Sequence, residues 1–120
     1  MPTRVLIVDD HERFRATARR ALESDGWSVV GEAADGAGAL TLAGSVAADV
    51  MLLDVGLPDM SGLEVAALLR DGTPGLAVVL VSTHDASDWG ELVARSGARG
   101  FLAKADLSGD ALDTLLAAPR

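Results

Sequence analysis

Hydrophobic and polar residues alternate along the chain in segments of two lengths. Short, nearly uninterrupted apolar runs end at Asp9, Asp54, Ser82 and Lys104. Runs of this kind, rich in Val, Leu and Ile, are typical of parallel strands that are buried on both faces. The longer segments between them repeat apolar residues every three or four positions, as a helix packed on a core does. The pattern therefore predicts alternating strands and helices.

The predicted elements form five strand–helix units. We expect strands over about 4–9 and 27–33, then up to Asp54, up to about Ser82, and over 98–103. We expect helices over 12–24 and about 36–44, the second opened by Asp35-Gly36. Three more should begin at the capping residues Ser61, Asp88 and Ser108, the first ending at about Arg70 and the second at Gly97. Because strand–helix–strand crossovers are right-handed, these helices should cover both faces of one parallel sheet, an α/β fold.

Composition narrows the class of protein. The 120 residues have the size of one domain, over 1–120, and the 49% hydrophobic content is that of a folded chain. A net charge of −8 argues against direct nucleic-acid binding. The absence of Cys excludes disulfides and thiolate metal sites and fits a cytoplasmic protein, and no apolar stretch has transmembrane length. We expect a soluble protein with no membrane contact.

The polar residues at the strand ends predict a binding site. Carboxyl ends of parallel strands share one edge of a sheet, so five side chains should converge there: Asp9, Asp10, Asp54, Ser82 and Lys104. Three clustered carboxylates require a cation, and an all-oxygen cluster favours Mg²⁺ or Mn²⁺. Since no His/Cys ligand spacing exists, His11 and His84 are predicted to be loop residues near the site rather than ligands.

Each of these residues also has a purely structural interpretation. An Asp at a strand end is often a turn former, and Asp10 could cap the first helix. Ser82 alone would be a loop hydroxyl and Lys104 alone a solvated surface charge. The adjacent pair Asp9-Asp10 with Asp54 in the same register favours the functional interpretation.

These motifs resemble the receiver domains of two-component response regulators, which belong to the CheY-like superfamily. The resemblance covers essentially the whole chain and rests on Asp9-Asp10, Asp54, Leu57-Pro58 with Gly62, Ser82 and Lys104. The loops Asp9-Asp10-His11 and Val81-Ser82-Thr83-His84 are most similar to the NarL/FixJ-type subfamily. The resemblance implies a flavodoxin-like, doubly wound sheet with strand order 2-1-3-4-5.

The resemblance also implies a chemistry. Asp54 would accept a phosphoryl group from a sensor histidine kinase or phosphotransfer protein, giving an acyl phosphate. Asp10, Asp54 and the carbonyl of Gly56 would bind Mg²⁺, with Asp9 acting largely through water. Lys104 and Ser82 would contact the phosphoryl oxygens. Such a domain catalyses its own phosphorylation and slow dephosphorylation and is otherwise not an enzyme.

A conformational switch would report the phosphorylation. The family moves the hydroxyl residue, here Ser82, and turns an aromatic residue inward; Phe101 is either that switch or permanently buried core. Thr83 and His84 flank the site and would tune access and hydrolysis. The surface of the fourth helix, fifth strand and fifth helix would then control an output, which the resemblance implies is transcriptional, and two copies would form a homodimer.

Two other functions compete with this one. A receiver-like binding module could work without phosphorylation, although the intact set of site residues argues against it. A metal-dependent phosphatase would need a cap domain and a general acid two residues after Asp54, where Gly56 stands. NarL/FixJ-type receivers usually precede a helix-turn-helix domain, so the chain is predicted to be either a lone receiver or a domain of a longer regulator.

Overall fold

The computed structural model describes residues 3–83 and 90–117. Within them the strands are β1 (Arg4–Val8), β2 (Ser28–Ala33), β3 (Val50–Asp54), β4 (Ala77–Ser82) and β5 (Gly100–Ala103). The helices are α1 (Glu12–Ser24), α2 (Gly36–Ser45), α3 (Gly62–Gly72), α4 (Gly90–Ser96) and α5 (Gly109–Ala117). A short 3-10 turn, Lys104–Asp106, follows β5. The predicted alternation is confirmed.

The five strands form one parallel sheet in the order β2-β1-β3-β4-β5. This confirms the doubly wound arrangement and its predicted strand order. The chain runs from β1 outward to β2 and then returns across β1 to β3, so the connections after β1 and β3 leave in opposite directions. A crevice opens at such a reversal, beyond the carboxyl ends of the two strands.

Alternate strand residues point to opposite sides of the sheet, and helices cover both of these faces. Val5, Ile7 and Leu52 pack with α1 and α5 on one face. Leu6 and Leu53 pack with α2 and α3 on the other. The uninterrupted apolar runs of the sequence are therefore explained by two helical layers, one on each face of the sheet.

The helix ends agree with the capping residues predicted from the sequence. The side chain of Asp35 accepts a hydrogen bond from Gly38 N at 2.7 Å, Ser61 from Leu63 N at 3.1 Å, and Ser108 from Ala111 N at 2.9 Å. The predicted cap at Asp88 lies outside the described residues.

At the start of α1, His11 occupies the N-cap position, so Asp10 is not the cap of that helix. This removes the structural alternative raised for Asp10. None of the described helices combines the length and the apolar composition needed to span a bilayer.

Candidate functional site

The crevice at the β1–β3 reversal brings the predicted residues together. Asp9 and Asp10 follow β1 directly, and Asp54 is the last residue of β3. Ser82 ends β4, opposite Ala103 of β5, and Lys104 comes next. Since β1, β3, β4 and β5 are adjacent and parallel, all five side chains lie at the same edge of the sheet.

Asp9 is fully buried and pairs with Lys104. Lys104 Nζ lies 2.6 Å from Asp9 Oδ2, at an angle outside that of a hydrogen bond. This buried oxygen therefore has a compensating charge but accepts no hydrogen bond from the described residues. The other oxygen, Oδ1, accepts a hydrogen bond from the backbone of His11 at 2.8 Å. A buried carboxylate oxygen without a hydrogen bond is expected where an ion or water completes the site.

Asp54 is buried as well, with 5% of its surface exposed. Its Oδ1 accepts a hydrogen bond from Gly56 N at 3.3 Å, and its Oδ2 lies 3.6 Å from Lys104 Nζ. Burial raises the pKa of Asp54 above its ordinary value, and the nearby charge of Asp9 raises it further, while Lys104 opposes both. Asp54 thus has a negative charge that a further cation would stabilise.

Lys104 is held from two directions. Its ammonium faces the two buried carboxylates, and it also lies 4.7 Å from the centre of the Phe14 ring. A ring face attracts a cation, so Phe14, in the first turn of α1, gives the Lys104 ammonium a second favourable contact besides the carboxylates. Only 11% of the Lys104 side chain is exposed, so its charge is held in place within the site. Lys104 is therefore not the solvated surface charge that was the alternative interpretation.

His11 was predicted to be a loop residue near the site, and the structure places its ring in direct contact with the carboxylates. Its Nδ1 lies 3.0 Å from Asp9 Oδ1 and 3.1 Å from Asp10 Oδ1. The imidazole is 67% exposed, so it covers the acidic pair from the solvent side.

A cavity of about 310 Å³ opens beside these groups. Its lining includes Asp54, Gly56, Ser82, Thr83 and Lys104. Ser82 is buried, whereas Thr83 is exposed at the rim. The space in front of Asp54 is therefore open to a small polar group.

Phe101, the predicted switch aromatic, is partly buried and packs against the core on the α2–α3 face. That position is compatible with either role proposed for it. His84 lies outside the described residues.

The acidic side chains fit a divalent cation. Ligand atoms of Asp9, Asp10, His11 and Asp54 all lie within 4.8 Å of one another. Carboxylate oxygens are the ligands that Mg²⁺ prefers, and Asp9 Oδ2, beside Lys104, accepts no hydrogen bond within the described part of the chain. The residues present therefore suit the ion that the sequence predicted.

Two supporting residues had no signal in the sequence. Phe14 appeared only as an apolar position of α1, because its contact with Lys104 joins distant parts of the chain. Arg15 donates to the backbone oxygen of Asp9 at 2.6 Å and pairs with Glu32 at 3.2 Å. Arg15 thus ties the loop after β1 to the edge strand β2, and only the folded chain reveals it.

Comparison with known proteins shows which family this chain is similar to. Residues 5–115 match the family described as the response regulator receiver domain. The nitrate/nitrite response regulator NarP of Escherichia coli is 44% identical over 105 residues, covering 86% of this chain and 48% of NarP. The response regulator UvrY of Escherichia coli is 38% identical, over 83% of this chain and 46% of UvrY. The chain thus spans about half the length of these curated relatives.

Solved structures agree in fold. The signal receiver domain of the putative response regulator NarL from Mycobacterium tuberculosis superposes with a TM-score of 0.86 at 39% identity, covering 98% of each chain. A LuxR-family two-component response regulator from Aurantimonas superposes with a TM-score of 0.89 at 29% identity, over 100% of this chain and 89% of that one. From sequence, fold and site together, this chain belongs to the receiver domain family of two-component response regulators, with NarL- and NarP-like proteins among its relatives.

Proposed function

We propose that this chain, over 1–120, is a phosphoryl-acceptor switch in which Asp54 receives the phosphoryl group. The observation that carries the proposal is the position of Asp54: buried at the end of β3, beside an open cavity and facing the fixed ammonium of Lys104. Receiver domains of this family are signalling proteins that interact with histidine kinases and phosphodonors. The donor proposed for this chain is accordingly a phosphohistidine of a sensor kinase or phosphotransfer protein.

Receiver domains bind Mg²⁺ at an acidic pocket. Here Asp10, Asp54 and the backbone carbonyl of Gly56 would hold the ion, with Asp9 contributing largely through water. When bound, Mg²⁺ neutralises charge on the carboxylates and on the transferring phosphoryl group. Asp9 Oδ2 lies beside the Lys104 ammonium but accepts no hydrogen bond from the described residues. This oxygen and the raised pKa of Asp54 both support a cation at this position.

The transfer itself requires little from the protein beyond position and charge. A carboxylate oxygen of Asp54 attacks phosphorus, the phosphorus–nitrogen bond of the donor breaks, and its electron pair returns to the donor imidazole. Lys104 neutralises charge on the phosphoryl oxygens, and the hydroxyl of Ser82 donates a hydrogen bond to one of them. Water then slowly hydrolyses the acyl phosphate and restores the carboxylate.

The output that we propose is control of transcription. Several relatives are named as response or transcriptional regulators, NarP, UvrY and a putative transcriptional regulator of Pseudomonas aeruginosa among them. Movement of Ser82 toward the phosphoryl group would change the loops after β4 and β5 and hence the surface of α4, β5 and α5. Two copies would then associate in the cytoplasm, and this dimer would control the output.

The direct test is the mass of the intact chain after incubation with Mg²⁺ and a small phosphodonor. We expect one phosphoryl adduct in the wild type and none in Asp54→Asn, with Asp49→Asn as the matched control because that carboxylate lies away from the site and pairs with Arg4. An unmodified wild-type chain, or an adduct retained in Asp54→Asn, would contradict the proposal.

Light scattering of the same samples tests association. Dimers that appear only with the phosphodonor, and not in Asp54→Asn, support a phosphorylation-dependent switch. Partner binding or association that is identical in Asp54→Asn would instead favour the module that works without phosphorylation.

A further inference from the structure

We propose that His11 is a ligand of the metal at this site and directs it toward transition-metal ions that accept an imidazole nitrogen. This inference rests on the proposed metal-dependent function and concerns which ion the site binds most tightly. The class of ligand is a divalent first-row ion such as Mn²⁺, Co²⁺ or Ni²⁺.

The distances around His11 match those between neighbouring ligands of one ion. Nδ1 lies 3.0 Å from Asp9 Oδ1 and 3.1 Å from Asp10 Oδ1. In an octahedron with bonds of about 2.1 Å, adjacent ligand atoms are roughly 3.0 Å apart. The imidazole nitrogen and the Asp10 oxygen therefore already have the spacing of adjacent ligands, and Asp9 Oδ1 lies close enough to contribute through water.

The complete set of four ligand atoms would have to move only slightly to surround one ion. The four ligand atoms, including that of Asp54, lie within 4.8 Å of one another. Opposite ligands of the same octahedron are about 4.2 Å apart, so closing around an ion requires a movement of roughly half an ångström. His11 and Asp10 are exposed enough to make it, and Asp9 Oδ2, which accepts no hydrogen bond from the described residues, marks the buried side of the space.

The backbone keeps the imidazole in place. His11 is the N-cap of α1, in extended backbone, and its N–H donates to Asp9 Oδ1 at 2.8 Å. That hydrogen bond holds the backbone of residue 11 beside the acidic pair. Because the ring is 67% exposed, coordination would cost little desolvation.

Nitrogen changes the preference among ions. Oxygen ligands suit Mg²⁺, whereas imidazole suits the later ions of the series, with affinity rising from Mn²⁺ through Co²⁺ to Ni²⁺. The alternative is that His11 only hydrogen-bonds the two carboxylates. In that case the ring competes with every ion, and its removal would strengthen the binding of Mg²⁺ and Ni²⁺ alike.

Calorimetric titration of the full chain with Mg²⁺, Mn²⁺ and Ni²⁺ separates these roles. In His11→Ala we expect the Ni²⁺ dissociation constant to rise about tenfold or more while that for Mg²⁺ changes by less than about twofold. Glu12→Ala is the matched control, since Glu12 is exposed and stands outside the cluster of four. An unchanged Ni²⁺ to Mg²⁺ ratio, or a uniform gain in affinity, overturns the proposal.

Pulsed electron paramagnetic resonance of bound Mn²⁺ gives a second measurement. The wild type should show coupling to an imidazole nitrogen that His11→Ala loses and His84→Ala keeps, these being the two histidines of the chain. Loss of the signal in His84→Ala alone contradicts the assignment to His11. Asp54→Asn distinguishes a failure of the His11 assignment from a failure of the proposed metal site. If this variant leaves all metal binding unchanged, the ion does not bind at the acidic site.

Discussion

Asp54 carries its negative charge in a buried position beside a second carboxylate, Asp9, and both effects raise its pKa. A raised folded-state pKa means that the contribution of this carboxyl to stability is present below its ordinary pKa and is lost as the pH rises through the raised one. We therefore expect Asp54→Asn to increase the free energy of unfolding at neutral pH. The gain should disappear in acid, as urea unfolding at several pH values would measure.

Asp49 provides the control with the opposite sign. Its carboxylate accepts hydrogen bonds from Arg4 N at 2.9 Å and Arg4 Nε at 3.3 Å, which lower its pKa. This contribution is present above the ordinary pKa and is lost as the pH falls through the lowered one. Asp49→Asn should therefore reduce stability at neutral pH. Equal effects of the two substitutions would contradict the electrostatic explanation.

Phe14 is predicted to position Lys104. Phe14→Leu keeps an apolar side chain on α1 but removes the ring that lies 4.7 Å from the ammonium. A cation–π contact contributes about 0.5–1 kcal/mol, so phosphorylation by a small phosphodonor should slow roughly two- to fivefold. Phe14→Tyr retains a ring and should restore the rate, whereas equal rates in all three proteins would exclude this role. The rate of adduct formation by mass spectrometry is the measurement.

At the scale of elements, the connection from β3 to α3 determines where Asp54 sits. Gly62, the first residue of α3, packs directly against the Asp54 backbone, and its N–H donates to Val55 O at 2.8 Å. A Cβ on Gly62 would overlap the Asp54 carbonyl group and lie 2.9 Å from Val55 Cα. The helix can approach the strand end this closely only because residue 62 has no side chain.

We expect Gly62→Ala to lower stability by about 1–3 kcal/mol, the usual cost of overpacking, and to slow phosphorylation by displacing Asp54. Gly44→Ala in α2 is the matched control, because a Cβ there meets nothing within 4 Å. That substitution should raise stability by roughly 0.5–1 kcal/mol, since Ala is the better helix former. Urea unfolding and adduct formation would be compared in both; a neutral Gly62→Ala would refute the packing argument.

Local signals predicted the elements, and the small errors have local causes. The caps at Asp35, Ser61 and Ser108 are each made within three residues, so sequence spacing was enough to find them. Trp27 was predicted to begin the second strand. Instead its N–H closes the end of α1 by donating to Leu22 O at 2.9 Å, after Gly26 with φ of 90°. A helix-ending motif thus took precedence over the sheet preference of an aromatic residue.

At the scale of the whole molecule, cation binding and folding should be linked. The acidic cluster forms only when β1, β3 and their loops are assembled, so an ion binds the folded chain in preference to the unfolded one. At a concentration of one hundred times its dissociation constant, Mg²⁺ should stabilise the fold by about 2.7 kcal/mol. Thermal unfolding with Mg²⁺ and after chelation measures this. Asp54→Asn should lose most of the gain, and an undiminished gain would place the ion elsewhere.

The sequence by itself determined the strand–helix alternation, the helix caps and the set of polar residues at the strand ends, because periodicity and position after an apolar run are local properties. Only the tertiary structure decided how those residues meet. Asp9 became a fully buried partner of Lys104, His11 came to lie between two carboxylates, and Phe14 came to support the ammonium. These contacts depend on the order of strands in the sheet and on loop geometry, which bring together residues that are distant along the chain.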